Sequence, residues 1–319
     1  MNALLITFLA TTASLFFAST HASNVRTIHQ FSNPTWLENI AAMHNGSLLV
    51  SVLGRPEVHI VDPSITPSSA SLVASIPSVN AILGITELSK NMFAVAAGNV
   101  TPANAPVLGS FSIWSIDMTH KHEPAKVNKL ADTPHLSMIN GLTALDSRTL
   151  LLADSWAGDI ASLDIRTGET AVWLGDETTA SNFSAPGLPL GVNGIKFHNG
   201  YVYYTNTVRN SLNRIRVSSK GTAVGGVQVL AQGEAIAVPD DFAVLKDGSV
   251  VQGRPMSDEL VRVGSDGKVV VIAKVEGVTA VAMGRSEKDK KTAYLSSMGG
   301  FNADGSVKSG GRIVAVELK

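Results

Sequence analysis

The feature that most constrains this chain is a degenerate unit that recurs six times along it. Each copy has a polar residue, a small or polar residue, an apolar alternating run, a tight turn and a second apolar run. The clearest copies are Asn140-Gly141-Leu142-Thr143-Ala144 with Leu150-Leu151-Leu152-Ala153-Asp154, and Asn193-Gly194-Ile195-Lys196-Phe197 with Tyr201-Val202-Tyr203-Tyr204-Thr205-Asn206. Pro239-Asp240-Asp241-Phe242-Ala243-Val244 with Ser249-Val250-Val251, and Glu38-Asn39-Ile40-Ala41-Ala42 with Ser47-Leu48-Leu49-Val50, follow the same plan. Leu83-Gly84-Ile85 with Met92-Phe93-Ala94-Val95, and Glu276-Gly277-Val278-Thr279-Ala280 with Thr292-Ala293-Tyr294-Leu295, are looser copies. Period-two alternation is the mark of strands, and the repeat starts at 38, 83, 140, 193, 240 and 276 lie about 36 to 57 residues apart, the length of a four-stranded blade with its loops.

The expected fold class is therefore all-β, a six-bladed β-propeller over residues 23–319. A sandwich pair or a parallel β-helix does not predict repeats of this length with a polar residue at the same point in each. Third strands are expected at Glu57-Val58-His59-Ile60-Val61, Ser112-Ile113-Trp114-Ser115-Ile116, Ile160-Ala161-Ser162-Leu163, Leu212-Asn213-Arg214-Ile215-Arg216, Leu260-Val261-Arg262-Val263 and Arg312-Ile313-Val314-Ala315-Val316. The segment from Val25 to Phe31 reads as a strand that completes the last blade and closes the ring. Asn45-Gly46, Asn199-Gly200 and Asp247-Gly248 sit between paired runs and read as hairpin turns. The loops Thr66 to Ser71, Thr101 to Val107, Thr119 to Lys126 and Asp176 to Pro189 are candidates for the rim or lid of a site.

Residues 1–22 have an apolar stretch from Leu4 to Ala18 and a small-residue exit at Thr20-His21-Ala22, the pattern of a signal peptide cleaved before Ser23. The expected location is secreted or within the secretory route. Asn45, Asn99 and Asn182 each open a glycosylation sequon. The chain has no Cys, so in an oxidising compartment it must hold itself together by burial and topology. With 25 Lys and Arg against 26 Asp and Glu, it has no broad field to hold nucleic acid or an anionic membrane. The expected partner is a small, partly apolar molecule.

In a propeller the innermost strand of each blade starts on one face, so the repeat starts collect around one opening. Aligned in this way the ring reads Glu38, Leu83, Asn140, Asn193, Asp240 and Glu276. Carboxylates and amides on one axis offer hard oxygen ligands for Ca²⁺ or another divalent metal, and the carboxylates can also act as general acid or base. Glu38, Asn140, Asn193 and Asp240 are the candidate catalytic residues. Trp36, Asp241, Phe242 and Glu276 are candidates for holding substrate, and Trp156, Met256 and Met298 for an apolar wall. His120-Lys121-His122-Glu123 reads as a solvated charged loop more readily than as a metal site. The chain has no Gly-x-Ser-x-Gly elbow, Gly-Lys-Ser/Thr phosphate loop or His-Glu-x-x-His motif.

Val192-Asn193-Gly194-Ile195 resembles the Asn-Gly-Leu segment of the senescence-marker-type gluconolactonases, and Pro239-Asp240 resembles their Pro-Asp-Gly segment. That resemblance implies a six-bladed propeller with one divalent metal held by a Glu, two Asn and an Asp, here Glu38, Asn140, Asn193 and Asp240. Where the family has Gly-Glu-Gly-Pro this chain has Trp36-Leu37-Glu38-Asn39, and Asp241 replaces the Gly after the Asp. The stretch Trp36-Leu37-Glu38-Asn39-Ile40-Ala41 with Asn45-Gly46-Ser47-Leu48-Leu49-Val50 is similar to a filamentous-fungal branch of the superfamily. That branch includes hetero-Diels–Alderases that join a tropolone-derived quinone methide to a humulene-type sesquiterpene. The branch resemblance implies such a pericyclase of specialised metabolism, which needs no cofactor. The alternative classes are a metal-dependent lactonase that uses Glu38, Asn193 and Asp240 as ligands, and a non-catalytic propeller that binds by its rim.

Overall fold

The computed structural model describes residues 24–120 and 123–319, so the expected signal peptide lies outside the described residues. Six four-stranded antiparallel sheets are arranged as the blades of a propeller. The innermost strands are Trp36–Ala42, Ala81–Ser89, Ile139–Ala144, Val192–His198, Phe242–Val244 and Val278–Met283, in blades one to six. The described residues contain only two single-turn 3₁₀ helices, Glu234–Ile236 and Pro255–Ser257, and no helix long and apolar enough to cross a membrane.

The alternating runs build the blades because period-two side chains point to the two faces of a sheet, and each face meets a neighbouring blade. Six apolar clusters result, one at each interface between blades. Between blades two and three, for example, Leu83, Ile113, Leu142, Leu150, Leu152 and Leu163 pack together. Burial of this kind, at about 25 cal/mol per Å² of apolar surface, is the main force that holds the blades side by side.

Ring closure follows the expected plan. Val25–Gln30 pairs antiparallel with Arg312–Glu317, with Val25 opposite Val316 and Gln30 opposite Arg312. The sixth blade is thus built from both ends of the propeller, and no blade is left with an open edge towards its neighbour. The Asn199-Gly200 turn has both residues at positive φ, 47° and 77°, the conformation of a type I′ hairpin turn.

Two of the four proposed rim loops lie elsewhere. Ala70 and Ser71 belong to the outer strand Ala70–Ser75 of blade one, and Lys126 starts the outer strand Lys126–Asp132 of blade two. The segments before these strands join third to fourth strands, at the end of the propeller opposite the ring. His120, Glu123 and Pro124 line a separate cavity there with Asn45 and Asn91.

Candidate functional site

The inner strands do not run straight past the channel. In blades one, three and four their pairing with the second strand slips between Leu37 and Asn39, Ile139 and Leu142, and Val192 and Ile195. Blade two slips between Ile82 and Ile85, and blade six between Val278 and Ala280. A β-bulge re-aims a side chain, and here it turns Glu38, Leu83, Asn140 and Asn193 inward. The Gly after each Asn has its own task. A Cβ on Gly141 would collide with the Asn193 carbonyl oxygen, and one on Gly194 would lie 2.7 Å from Asp241 Oδ1. The Asn-Gly pair thus combines an inward amide with a close approach of the next blade.

These bulges surround a cavity of about 380 Å³, within the range of small-molecule sites. Glu38, Leu83, Asn140, Asn193 and Asp240 all line it. Trp36, Trp156, Met138, Met256, Met298 and Leu190 give it apolar walls. The Thr101 to Val107 and Asp176 to Pro189 loops reach its mouth through Asn104 and Leu188. Two aromatic pairs stand beside it: Trp156 meets Phe183 edge-on at 4.9 Å, and Trp36 meets Phe301 at 6.0 Å.

Three residues expected to hold substrate lie outside the cavity lining. Phe242 is fully buried in the cluster between blades four and five with Tyr203, Leu212 and Val250, because the inner strand of blade five turns its side chain away from the axis. Asp241 is buried in the channel wall, where it accepts from Asn39 Nδ2 at 2.9 Å and from Lys196 Nζ at 2.5 and 2.6 Å. Glu276 precedes the inner strand of blade six and pairs with Lys308 at 3.4 Å and Arg312 at 3.3 Å. The register in this blade differs from the sequence alignment by two residues, because the bulge begins at Val278. Of the sequon asparagines, Asn45 and Asn182 are exposed and Asn99 is half-buried.

The electrostatics follow from three acids and one cation. Lys196 neutralises Asp241, which leaves Glu38 and Asp240 without a positive partner among the described residues. Loss of water around the Glu38 carboxyl pushes its pKa up to about 7, against the hydrogen bond that Trp36 Nε1 donates to Oε2 at 2.7 Å, and the Asp241 charge adds to the rise. Asp240 lies at the cavity floor, where protein replaces bulk water. That desolvation and the charges of Glu38 and Asp241 hold its pKa well above the usual carboxylate range, although the Asn193 amide favours its charged form. Both carboxyls therefore hold their protons to a higher pH than ordinary carboxyls do.

Two threonines tie blades four and five together. Thr205 Oγ1 accepts from Gly194 N and donates to Asp240 O, both at 2.9 Å. Thr207 Oγ1 accepts from Asn193 Nδ2 at 2.9 Å and donates to Pro239 O at 3.0 Å. Lys196, Thr205 and Thr207 escaped the sequence reading. A lysine amid the otherwise apolar middle of an inner strand was the one available signal for the first, and nothing local marks the others.

The donor set fits a divalent cation. Among the described residues no group of three or more His, Cys, Asp or Glu side chains is placed to hold an ion, so a cation here depends on amide oxygens. Asn193 Oδ1 is buried and has no hydrogen-bond partner, and Glu38 and Asp240 lack a counter-charge. Glu38, Asn140, Asn193 and Asp240 are the residues that would hold it.

No protein-family model matches the chain. A candidate hetero-Diels-Alderase of Sarocladium schorii is 25% identical over 310 residues, covering 85% of this chain and 77% of that protein. A second candidate hetero-Diels-Alderase, from a Phoma species, is 25% identical over 302 residues, covering 85% and 86%. Among solved structures, regucalcin of Agrobacterium tumefaciens, a calcium-binding protein, superposes with a TM-score of 0.67 at 14% identity, covering 93% of this chain and 96% of its own. The chain therefore has the fold of the regucalcin-like propellers, with a sequence similar to fungal proteins named for cycloaddition.

Proposed function

We propose that this protein is a hetero-Diels–Alderase-type pericyclase of fungal specialised metabolism, joining a tropolone-derived quinone methide to a humulene-type sesquiterpene. The observation that carries the reading is an apolar-walled cavity that ends on two uncompensated carboxyls, Glu38 and Asp240. The similarity to the two fungal proteins supports it.

In the cycloaddition the C=C–C=O unit of the quinone methide and a C=C of the hydrocarbon form one C–C and one C–O bond, and no atom leaves. Holding both reactants face to face supplies much of the rate, and Trp36, Trp156 and the methionines offer the surface for it. A protonated carboxyl at the floor donates a hydrogen bond to the quinone methide oxygen, which gains negative character in the transition state. The same pair can generate the heterodiene from a hydroxymethyl precursor. Asp240 gives its proton to the departing hydroxyl, which leaves as water, and Glu38 takes the proton from the ring hydroxyl.

The test is product analysis. A hydroxylated humulene and the hydroxymethyl tropolone precursor are mixed with and without the protein. The expected result is a change in yield and stereochemical ratio, with Glu38→Gln and Asp240→Asn slowing product formation on the order of 10²-fold or more. A mixture unchanged by the protein overturns the reading.

A second reading, lactone hydrolysis, is favoured by the unpartnered Asn193 Oδ1 beside two acids. A bound divalent cation would polarise an ester carbonyl there. Turnover of a lactone that is lost with chelator and restored with Ca²⁺ selects this reading over the first. In either case we place the protein in the secretory route, with Asn45 and Asn182 as exposed glycan acceptors, and a mass shift on deglycosylation of the secreted protein checks this.

A further inference from the structure

The cavity at the rear of blades one and two lies at the end of the propeller opposite the mouth. It encloses about 780 Å³, within the range of small-molecule sites and larger than the mouth cavity. Met43, Ile60, Val73 and Met118 give it apolar walls, and Lys90 and Asn91 add polar groups. Leu72 lines it too, 56% exposed on the outer strand Ala70–Ser75. That strand has a free edge and neither a charge nor a proline to blunt it, so the edge and Leu72 both lack a cover. A lining shared between apolar and polar groups suits a pyranose, which has an apolar C–H face and a rim of hydroxyls.

Asn45 supplies the means to hold such a ring there. It lines the same cleft, is exposed, and opens the Asn45-Gly46-Ser47 sequon. Its Oδ1 accepts from Ser47 N at 3.0 Å. A backbone N–H only donates, so the amide end that meets it is the oxygen. The nitrogen, the atom that takes a sugar, is left without a hydrogen bond among the described residues. A Cβ on the adjoining Gly46 would meet no atom within 4 Å, so the turn leaves room for a bulky group.

The other two sequons differ. Asn99 is half-buried, and its Nδ2 donates to Ser78 O at 3.3 Å. Asn182 has the same local turn as Asn45, with Ser184 N donating to its Oδ1 at 3.0 Å, but it lines neither the mouth cavity nor the rear cleft.

We infer that Asn45 carries an N-linked glycan whose first N-acetylglucosamine units lie in the rear cleft against Leu72. The inference rests on the placement in the secretory route and is independent of the reaction at the mouth. As the chain enters that route, Asn45 Nδ2 attacks C1 of the first sugar of a polyprenyl-pyrophosphate-linked oligosaccharide. An N–C bond forms, the C1–O bond breaks, the amide gives up one proton and the polyprenyl pyrophosphate leaves. On the folded protein the apolar sugar face and the acetamide methyl cover Leu72 and Ile60, and the hydroxyls meet Lys90 and Asn91. Tethering raises the effective concentration of the sugar at the cleft, so weak contacts suffice to keep it docked.

The test uses the full chain, secreted from a eukaryotic host, with occupancy of each sequon read by glycopeptide mass spectrometry. An amidase that cleaves the Asn–sugar linkage is added to the folded protein, and release is timed at Asn45 and Asn182. A docked sugar is cut only from its undocked state, so release at Asn45 should be about 10-fold slower or more. The two rates should converge after denaturation. Leu72→Ser removes the apolar contact, keeps the sequon and alters only an exposed side chain, and it should speed release at Asn45 by about the same 10-fold. That variant is also the comparison should Asn182 be bare. Equal release at the two sites of the folded protein overturns the inference and leaves the secretory placement standing. Slow release at Asn45 in Leu72→Ser, or a bare Asn45 beside any occupied sequon, does the same. Absence of glycan from all three sequons overturns both.

Discussion

The inner ring closes in two different ways on its two arcs. Across blades two to four a glycine follows each ring residue, at Gly84, Gly141 and Gly194, and neighbouring strands meet backbone to backbone. Across blades five, six and one the same place holds Asp241, Thr279 and Asn39, all buried. There side chains add to the backbone contacts: Asn39 Nδ2 donates to Asp241 and Thr279 Oγ1 donates to Leu37 O, beside the backbone bond from Asp241 N to Thr279 O. The glycine arc carries the amides Asn140 and Asn193, and the polar arc carries the acids Asp240 and Glu38. Close packing is thus concentrated where the site needs shape, and charge where it needs protons.

Breaking the polar arc should have the largest effect. Asp241→Ala leaves Lys196 and Asn39 facing an empty acceptor in the channel wall, and removal of one partner from such a pair costs about 3–5 kcal/mol. Chemical denaturation should show that loss. Breaking the glycine arc comes next. Gly141→Ala drives a methyl group into the Asn193 carbonyl, and because backbone cannot swing aside the cost should be about 3 kcal/mol in the same measurement.

Glu38→Gln sharpens the comparison through pH. The folded protein holds the Glu38 proton more tightly than the unfolded chain, in which the carboxyl has its ordinary pKa of 4.5. The stability tied to that proton is present in full below pH 4.5 and is lost as pH rises through about 7. The stability of the wild type, followed by thermal melts, should fall across that window by about 3 kcal/mol, and that of Glu38→Gln should fall less. Asp240→Asn should flatten the curve further towards alkaline pH, in keeping with the direction of its shift. The smallest effect belongs to Glu276→Ala. Its partners Lys308 and Arg312 are partly solvated, so the loss should stay under about 1 kcal/mol, and binding of the hydroxylated humulene in the mouth cavity should be unaltered.

The two arcs also account for what was legible in the sequence. Asn140 and Asn193 stood out because the bulge and the close approach both demand Asn-Gly, a pair readable from the letters alone. Glu38 and Asp240 were found by counting from those positions. The same counting failed at blade six, where no glycine follows the ring position and Gly277 precedes it at a φ of 61°. The repeat pattern points to Glu276, whereas the bulge lies at Val278. Alternation placed Asp241 and Phe242 at the mouth, but Asp241 fills the glycine position in the wall and Phe242 faces the blade interface. Thr207 was invisible because its role is a bridge between blades, and a repeat pattern describes each blade without its neighbour.

The closing pair of strands has a temporal consequence. Val25–Gln30 and Arg312–Glu317 stand nearly the whole propeller apart in sequence, so their contact has the highest order in the fold. During synthesis the first strand must wait, unpaired, until residues 312–317 have emerged, and the rims of blades one and six stay exposed for that interval. The latch that makes the finished ring durable is therefore also the step at which a nascent chain is most open to capture by another molecule.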